Sequence, residues 1–464
     1  MPREVDVAII GAGSAGLFAL SQVRRKTDNY VLIDGGELGT TCARVGCMPS
    51  KVLIQVADDF YRRNIFEREG IEGAESINVD IPEAMGHVQD LRDTFVDRTL
   101  GATDNLDDTH LLQAYARFVS DDTLEVDGEM IRAKKIIIAT GSSPVIPAAW
   151  QPCAEHILTT DEIFELEDLP TSMAVVGMGS IGLEIGQALS RLGVEVTGID
   201  QLTTVAKLAD PVVNDLAIDA IGKEFPLWLG ATAELEKQDA GVKVSCGDQS
   251  ILVEKVLASL GRRPNLARLG LENTSVKLDA QGIPVYDPLT MQIGDSAIFI
   301  AGDVNADRAL LHEAGHEGRV AGYNAVHESI AAFKRKTFLG ITFCDPNIAT
   351  VGAQLDELDE ADIAIGEIQF APVGRALIMG KNRGVLRLYA NKADGKLLGA
   401  AMACVKAENL AHLLAWSIQQ GLSVQDLLKM PFYHPVIEEA LQAALYNALG
   451  KLDIKEEVVE LEKL

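Results

Sequence analysis

The sequence predicts an α/β protein in which two dinucleotide-binding units precede an α+β region of different character. Two glycine-rich turns of one design, each between an apolar strand and a helix, predict the first part. An acidic residue at the same distance beyond each turn strengthens that reading. A final segment with strand and helix patterns but no such turn predicts the rest.

The first unit opens at once. "VDVAIIGAGSAGLFALSQVRR" is a continuous apolar run, a glycine turn and a helix, and the unbroken run suits a parallel strand buried on both faces. "YVLIDGG" is a second strand with an acid at its tip. Gly11, Gly13 and Gly16 mark the turn, and Asp34 the tip. "SMAVVGMGSIGLEIGQALSRLGVEVTGID" repeats the design with Gly177, Gly179, Gly182 and Asp200. First glycine and acid are 23 residues apart in both copies, and the copies lie 166 positions apart. A lone G-x-G-x-x-G is a weak signal, but this context, met twice, predicts two Rossmann-like domains. The first glycine allows the tight turn and the second lets the backbone approach a pyrophosphate on the helix N-terminus. The acid accepts the ribose hydroxyls. A carboxylate at Asp200 repels a 2′-phosphate, and "QLTTVAK" after it brings no arginine. The second unit is therefore expected to take NAD rather than NADP.

The remaining elements follow in order. "KKIIIATGSSPVIP" and "EKVLASLGRRPN" are apolar strands that leave their sheets through Gly141 and Gly261. "SAIFIAGDVN" reads as a buried strand ending at Asp303, and "ALLHEAGHEGRVAGYNAV" as a helix with small residues on one side. "FKRK", Phe333 to Lys336, marks a polar break. Beyond it, strands "GVLRLYA" and "KLLGAAMA" precede helices around "ENLAHLLAWSIQQG" and "EEALQAALYNALG". "DIKEEVVELEKL" is a charged, helix-prone tail.

Composition bounds the function. At about 100–200 residues per domain, a chain of 464 residues holds two to four. A formal net charge of −27 argues against nucleic acid or an anionic membrane as partner. Six cysteines do not make a disulfide framework, and "MPREVDVAIIGAG" enters a strand rather than a signal sequence. No apolar run is long enough for a spanning helix. The expected compartment is a reducing cytoplasm.

"GTTCARVGCMPSK" places Cys42 and Cys47 five positions apart. A metal site needs two more ligands, and Cys153, Cys246, Cys344 and Cys404 are solitary. Buried spectator thiols and a redox pair remain. In a regular helix, residues five apart have Cα atoms roughly 8.7 Å apart, whereas a disulfide needs less than about 7 Å. A bond therefore requires an irregular helix, and Gly46 and Pro49 supply the means. A thiol at a helix start is also acidified by the helix dipole, and Lys51 adds a positive charge nearby. Far along the chain, "PFYHPVIEEAL" holds His434 and, five residues on, Glu439, the spacing of an acid–base pair or of two ordinary surface residues.

Together, "GAGSAG", "TCARVGCMPSK", "ATG", "GMGSIGLE", "LGRRPN", "AGDV" and "HPVIEEA" resemble the pyridine nucleotide–disulfide oxidoreductases, in the family's order and over nearly the whole chain. Within that family the resemblance is to the branch that oxidises dihydrolipoamide. It implies an FAD-binding domain at 1–149, an NAD-binding domain at 150–266, a central segment at 267–336 completing the FAD site, and a C-terminal α+β dimerisation domain at 337–464. FAD would lie on Gly11, Gly13, Gly16 and Asp34, with Thr41, Lys51, the Ala139–Thr140–Gly141 motif, Gly302 and Asp303 around it. NAD would lie on Gly177, Gly179, Gly182, Asp200 and Gly261, and Glu184 would pair with Lys51 beside the flavin. Cys42 and Cys47 would form the redox-active disulfide, Cys42 attacked by substrate and Cys47 facing the flavin. His434 and Glu439 would reach it from the other subunit of a homodimer, with a cis His434–Pro435 bond. Partners would be a small dithiol or disulfide, or a lipoyl-lysine domain of a 2-oxo-acid dehydrogenase complex.

The chain departs from the family's usual text at Thr40 (glycine), Asp34 (glutamate), and Val436 and Glu438 (threonine and serine), and through "AMACVKAENLAH". The later departures fall near the substrate entrance. A related NAD(P)H-dependent disulfide reductase acting on another substrate, or a non-catalytic FAD- and NAD-binding redox module, would share most of these residues. Family members with a further redox group near the C-terminus differ, since the last cysteine here is Cys404.

Overall fold

The computed structural model describes residues 1–103, 106–454 and 461, so most of the charged tail lies outside the described residues. The first unit comprises β1 (Arg3–Ile10), α1 (Ser14–Val23), β2 (Tyr30–Ile33), α2 (Thr41–Val45), α3 (Cys47–Tyr61), α4 (Ile81–Leu100), β3 (Leu111–Leu112), β4 (Ala116–Ser120), β5 (Thr123–Val126), β6 (Glu129–Ile138) and β7 (Ser142–Pro144). Its sheet runs β3-β2-β1-β6-β5-β4. β1 is parallel to β2 and β6, and its apolar residues Val7 to Ile10 are buried on both faces.

The second unit holds β8 (Ile157–Leu158), α5 (Thr160–Ile163), β9 (Ser172–Val176), α6 (Ser180–Arg191), β10 (Glu195–Asp200), α7 (Pro211–Ile221), β11 (Leu227–Leu229), β12 (Ala233–Gln238), β13 (Gly241–Cys246), β14 (Gln249–Val253), β15 (Lys255–Ala258) and β16 (Arg262–Pro264). Its parallel sheet is ordered β11-β10-β9-β15-β8, with β12-β13-β14 as a separate antiparallel sheet that no sequence motif marks. The two glycine exits meet. β7, after Gly141, pairs antiparallel with β16, after Gly261, so the units are laced together where each chain leaves its sheet.

The chain then returns to the first unit. β17 (Ile298–Ile300) joins β6 in parallel, and α8 (Leu311–Ala325) packs along α1. The small residues of α8 permit that approach: a Cβ on Gly318 would lie 2.2 Å from the Ala15 carbonyl oxygen. The strand expected to reach Asp303 ends at Ile300, because Gly302 turns the chain with φ +81° and Asp303 opens a 3₁₀ turn. The "FKRK" segment is also more than a polar break, since its Arg335 pairs with Asp307, Glu313 and Glu317.

The last region contains β18 (Leu339–Thr342), β19 (Asn347–Gly352), β20 (Ile363–Gln369), α9 (Gly374–Met379), β21 (Val385–Asn391), β22 (Leu397–Cys404), α10 (Ala407–Gln419), α11 (Val424–Leu428) and α12 (Glu438–Leu449). Its antiparallel sheet runs β18-β19-β22-β21-β20. One apolar core takes in Leu53 of α3, Val175 of β9, Leu183 and Leu189 of α6, Val213 of α7, Ile348 of β19 and Tyr389 of β21. Each large apolar side chain buried there contributes about 2 kcal/mol. The helix that begins at Cys47 and the helix of the second glycine turn are thus bedded in the same core.

Candidate active site

The two glycine turns are built alike. A Cβ on Gly16 would lie 1.8 Å from the Gly11 carbonyl oxygen, and one on Gly182 would lie 1.9 Å from that of Gly177. Gly11 and Gly177 have φ of +112° and +103°, and a Cβ on either would strike the backbone of the neighbouring strand exit, at Ala139 and Ser259. The middle glycines differ: around a Cβ on Gly13 or Gly179 there is nothing within 4 Å. Each of these caps a helix, α1 or α6, without a side-chain hydrogen bond. Open space before uncapped backbone N–H groups is what a pyrophosphate requires. The acids are held alike as well. Asp34 accepts from the N–H of Ala12 (2.5 Å) and Gly36 (2.8 Å), and Asp200 from Met178 (2.6 Å) and Leu202 (2.8 Å). The residues therefore fit two dinucleotides.

The thiols sit at a helix break. α2 stops at Val45, Gly46 leaves helical geometry (φ −135°, ψ −119°), and Cys47 is the first residue of α3. A side chain at Gly46 would crowd Thr41 O at 2.9 Å and Cys42 Cα at 3.2 Å, so the break needs glycine. Pro49 cannot donate to the carbonyl of Val45, and the first α3 bond runs from Ser50 N–H to Gly46 O. Cys42, half-buried, and Cys47, exposed, are free thiols here rather than the disulfide the resemblance implied. The break draws them together, so that the proton on Cys42 bears on the Cys47 sulfur. Among the six cysteines only Cys47 is acidified, to about 7, by the hydrogen bond from Cys42 and then by Lys51. Cys42 is raised, because its proton is held against the Cys47 sulfur.

One turn on, Lys51 Nζ donates to Glu184 Oε2 at 2.6 Å, joining the two units. Glu184 is 5% exposed, and its other oxygen accepts from Phe343 N–H at 2.8 Å. Lys51 also lies 4.8 Å from the centre of the Phe343 ring.

Thr40, before α2, has φ +63° and ψ 145°, a conformation nearly confined to glycine, while its hydroxyl accepts from Ala43 N–H at 3.3 Å. Thr40→Gly is expected to stabilise the protein by about 1 kcal/mol, relieving strain while losing only part of a cap. Thr40→Ala keeps the strain, loses the cap and is expected to destabilise by about 1 kcal/mol. Urea unfolding of both variants measures the two signs.

Asp303 Oδ2 accepts from Ser142 Oγ at 2.8 Å, and Ser142 is held by Arg262 at 2.8 and 2.7 Å. Thr140 and Asn265 bond reciprocally across the same junction, Thr140 Oγ1 to Asn265 O at 2.9 Å and Asn265 Nδ2 to Thr140 O at 3.0 Å. Glu317 accepts from Gly302 N–H at 2.8 Å. Ser142, Arg262, Asn265 and Glu317 went unmarked in the sequence; only their places in "ATGSS", "GRRPN" and the α8 pattern could have drawn attention to them.

His434 Nδ1 lies 2.8 Å from Glu439 Oε1, and Glu439 Oε2 accepts from Val436 N–H at 3.0 Å. That pair of bonds, first the one with His434, holds the Glu439 carboxyl below the usual range. The His434 side chain is 81% exposed, and among the described residues its Nε2 has no hydrogen-bond partner. The His434–Pro435 bond is cis, as is Asp345–Pro346. Within one chain the histidine and the cysteines share no hydrogen bond among the described residues.

Among the described residues no group of three or more His, Cys, Asp or Glu is placed to hold a metal, and no helix is long and apolar enough to cross a membrane.

Comparison with known proteins agrees with this geometry. The model of the family described as pyridine nucleotide-disulphide oxidoreductase matches residues 5–318, and that of its dimerisation domain matches 339–445. Dihydrolipoyl dehydrogenase 2 of Haloarcula marismortui is 30% identical, over 96% of this chain and 97% of its own. A mercuric reductase of Staphylococcus aureus is 28% identical, over 91% and 79%. The structure of the HOCl-induced flavoprotein disulfide reductase RclA from Escherichia coli superposes with a TM-score of 0.83 at 22% identity, over 95% and 99%, a likeness of fold.

Proposed function

The chain belongs to the pyridine nucleotide–disulphide oxidoreductase family, FAD-binding enzymes that act on sulfur groups with NAD(P)H, and from that premise we propose that it is a dihydrolipoamide dehydrogenase that delivers hydride to NAD. The observation that carries this reading is the break at Gly46, which sets Cys42 and Cys47 thiol to thiol beside the Lys51–Glu184 pair. Asp200, at the tip of β10, favours the free ribose hydroxyl of NAD. The dimerisation domain supports a homodimer, in which His434 of the partner subunit faces the thiols.

The chain's own groups divide the work. His434, its tautomer fixed by Glu439, accepts a proton from one substrate thiol. The substrate thiolate attacks Cys42 Sγ of the oxidised pair, forming a mixed disulfide as the bond to Cys47 breaks and Cys47 leaves as a thiolate. The second substrate thiol attacks the substrate sulfur of that mixed disulfide, closing the oxidised ring and returning Cys42 as a thiol. The acidity of Cys47 suits it to be the leaving group, whereas Cys42, whose thiol holds its proton more tightly, leaves the mixed disulfide by taking up the proton that the second substrate thiol gives up. Bound FAD supplies the two-electron relay from the Cys47 thiolate to NAD. Lys51 and Glu184 present a fixed positive charge and a buried carboxylate beside that relay. A reducing cytoplasm suits a catalytic pair of this kind.

A disulfide reductase working in the other direction on a different substrate is the second reading. Val436 and Glu438, partly exposed beside His434, favour it by changing the substrate entrance. A substrate series tests the choice. Dihydrolipoamide is expected to exceed other small dithiols in kcat/KM for NAD reduction by about tenfold or more. Equal values across the series would overturn the lipoyl reading, and absence of flavin reduction by NADH would point to a non-catalytic module.

A further inference from the structure

Lys51–Glu184 is only the first of two pins between α3 and α6. Seven residues further along both helices, Asp58 pairs with Arg191. Seven residues are two turns, about 10.5 Å, so the helices run parallel and meet in register at two points. The second pin is buried and branched. The Arg191 side chain is 3% exposed, its Nε and Nη2 donate to Glu224 at 2.7 Å each, and its Nη2 lies 3.3 Å from Asp345 Oδ2. Tyr61 closes one face at 4.1 Å, and Lys381 supplies Asp345 with a second cation at 2.9 Å.

The same face of α6 grips the segment after β18. Ser180 Oγ meets Thr342 Oγ1 at 2.7 Å, and Glu184 accepts from Phe343 N–H. Gln187 takes Asp345 N–H at 2.7 Å and gives to Asp345 O at 2.8 Å, and Arg191 ends the row on the Asp345 carboxylate. One polar stripe thus locks three parts of the chain: the helix that begins at Cys47, the helix of the second glycine turn, and the segment that holds Glu184 and stacks on Lys51.

We infer that Arg191 and Asp58 are positioning residues: they set the register of α3 on α6 and thereby hold the Lys51 ammonium on Glu184, the arrangement in which its charge bears on Cys47. The inference rests on the reading that Cys47 is the thiolate of the redox pair. Of the charged groups near Cys47, Lys51 favours its thiolate and Glu184 opposes it, with Cys42 as hydrogen-bond donor and the partner's His434 expected opposite. A slip of α3 along α6 alters the balance of the first two.

The test is a double-substitution cycle on the reduced, FAD-loaded dimer, read as the pH midpoint of Cys47 alkylation by iodoacetamide and located by mass spectrometry. The Asp58 side chain is partly exposed and burial pushes its carboxyl up, so water and easier protonation both lessen the cost of losing Arg191 there. Arg191→Met is therefore expected to fold, and Asp58→Asn provides a milder companion. Lys51→Met is expected to raise the midpoint, Arg191→Met to raise it by about half as much, and the double variant to exceed Lys51→Met by nothing measurable, because Arg191 acts through Lys51. Arg191→Lys, which keeps the charge but loses the fork on Glu224, is expected to fall between Arg191→Met and the wild type. Additive shifts, or a wild-type midpoint in Arg191→Met with only a lower Tm, would overturn the inference. A wild-type midpoint at the ordinary thiol value of about 8.5 would instead sink the redox-pair reading itself.

Discussion

Cys42→Ser is expected to lower dithiol-dependent NAD reduction by on the order of 10³-fold or more while leaving reduction of the flavin by NADH intact. The exchange step forms and breaks a bond to sulfur at position 42, and an alkoxide can do neither. The serine hydroxyl can nevertheless donate to Cys47 as the Cys42 thiol does, and that hydrogen bond is the largest cause of the acidity of Cys47. The variant should therefore keep a Cys47 that ionises near 7. In sign terms, its thiolate-to-flavin absorbance rises as pH passes upward through that value and fades below it. Cys42→Ala removes the donor, so its transition should move to higher pH. Stopped-flow mixing with dihydrolipoamide and, separately, with NADH measures both halves of the reaction. Unchanged dithiol turnover in the serine variant would refute the role given to Cys42.

Why the cysteines could be read from sequence, while much around them could not, follows from the range of the forces involved. The glycine turns are local. Gly11, Gly13 and Gly16 answer to contacts within one βα unit and one neighbouring strand exit, as do Gly177, Gly179 and Gly182, so pattern and spacing suffice to place them. The helix break at Gly46 is equally local: a chain-geometry argument required an irregularity there, and the backbone has one. The pairing of β7 with β16 is not local. Each segment alone is a short polar exit, and nothing in "SSP" or "RRP" names the other. The early end of β17 turns on Gly302, whose positive φ the alternation of apolar residues cannot announce.

Arg191 shows the same limit more sharply. In "LSRLG" it reads as a solvent-facing arginine at a helix end, the ordinary fate of the residue type. Its burial comes from Asp58, Glu224 and Asp345, which lie 133, 33 and 154 positions away in the chain. The Lys51–Glu184 pair spans a similar separation, 133 positions, and was legible only because the family text supplied it. Thr40 lies between these cases. Its strain cannot be read from "GTTC" alone, yet its place where the family usually has glycine is the trace of that strain in the sequence.

His434→Gln is expected to lower kcat for dihydrolipoamide oxidation by about 10²- to 10⁴-fold, the usual worth of a positioned acid–base group, with flavin reduction by NADH nearly unchanged. Glutamine fills the space and can hold the Glu439 bond, but it cannot take a proton, so the loss measures proton transfer rather than packing. Glu439→Gln should cost less, because it leaves the imidazole in place and removes the carboxylate that fixes its tautomer. That carboxyl is held below the usual range by the His434 bond, so the pair is fully formed at neutral pH and breaks only as acid protonates Glu439. The imidazole is 81% exposed in the single chain and shares no hydrogen bond with the cysteines among the described residues, which leaves it free for the proposed role on a substrate thiol at Cys42 of a second subunit. Mixing settles where it acts. His434→Gln and Cys42→Ser homodimers should each be inactive with dithiol. After subunit exchange, half of the dimers are hybrids, each with one site that combines an intact Cys42 and an intact His434 from opposite chains. Activity should then return to about a quarter of the wild-type value for a symmetric two-site dimer. If histidine and thiol instead acted within one chain, every hybrid site would carry one of the two substitutions and no activity would return.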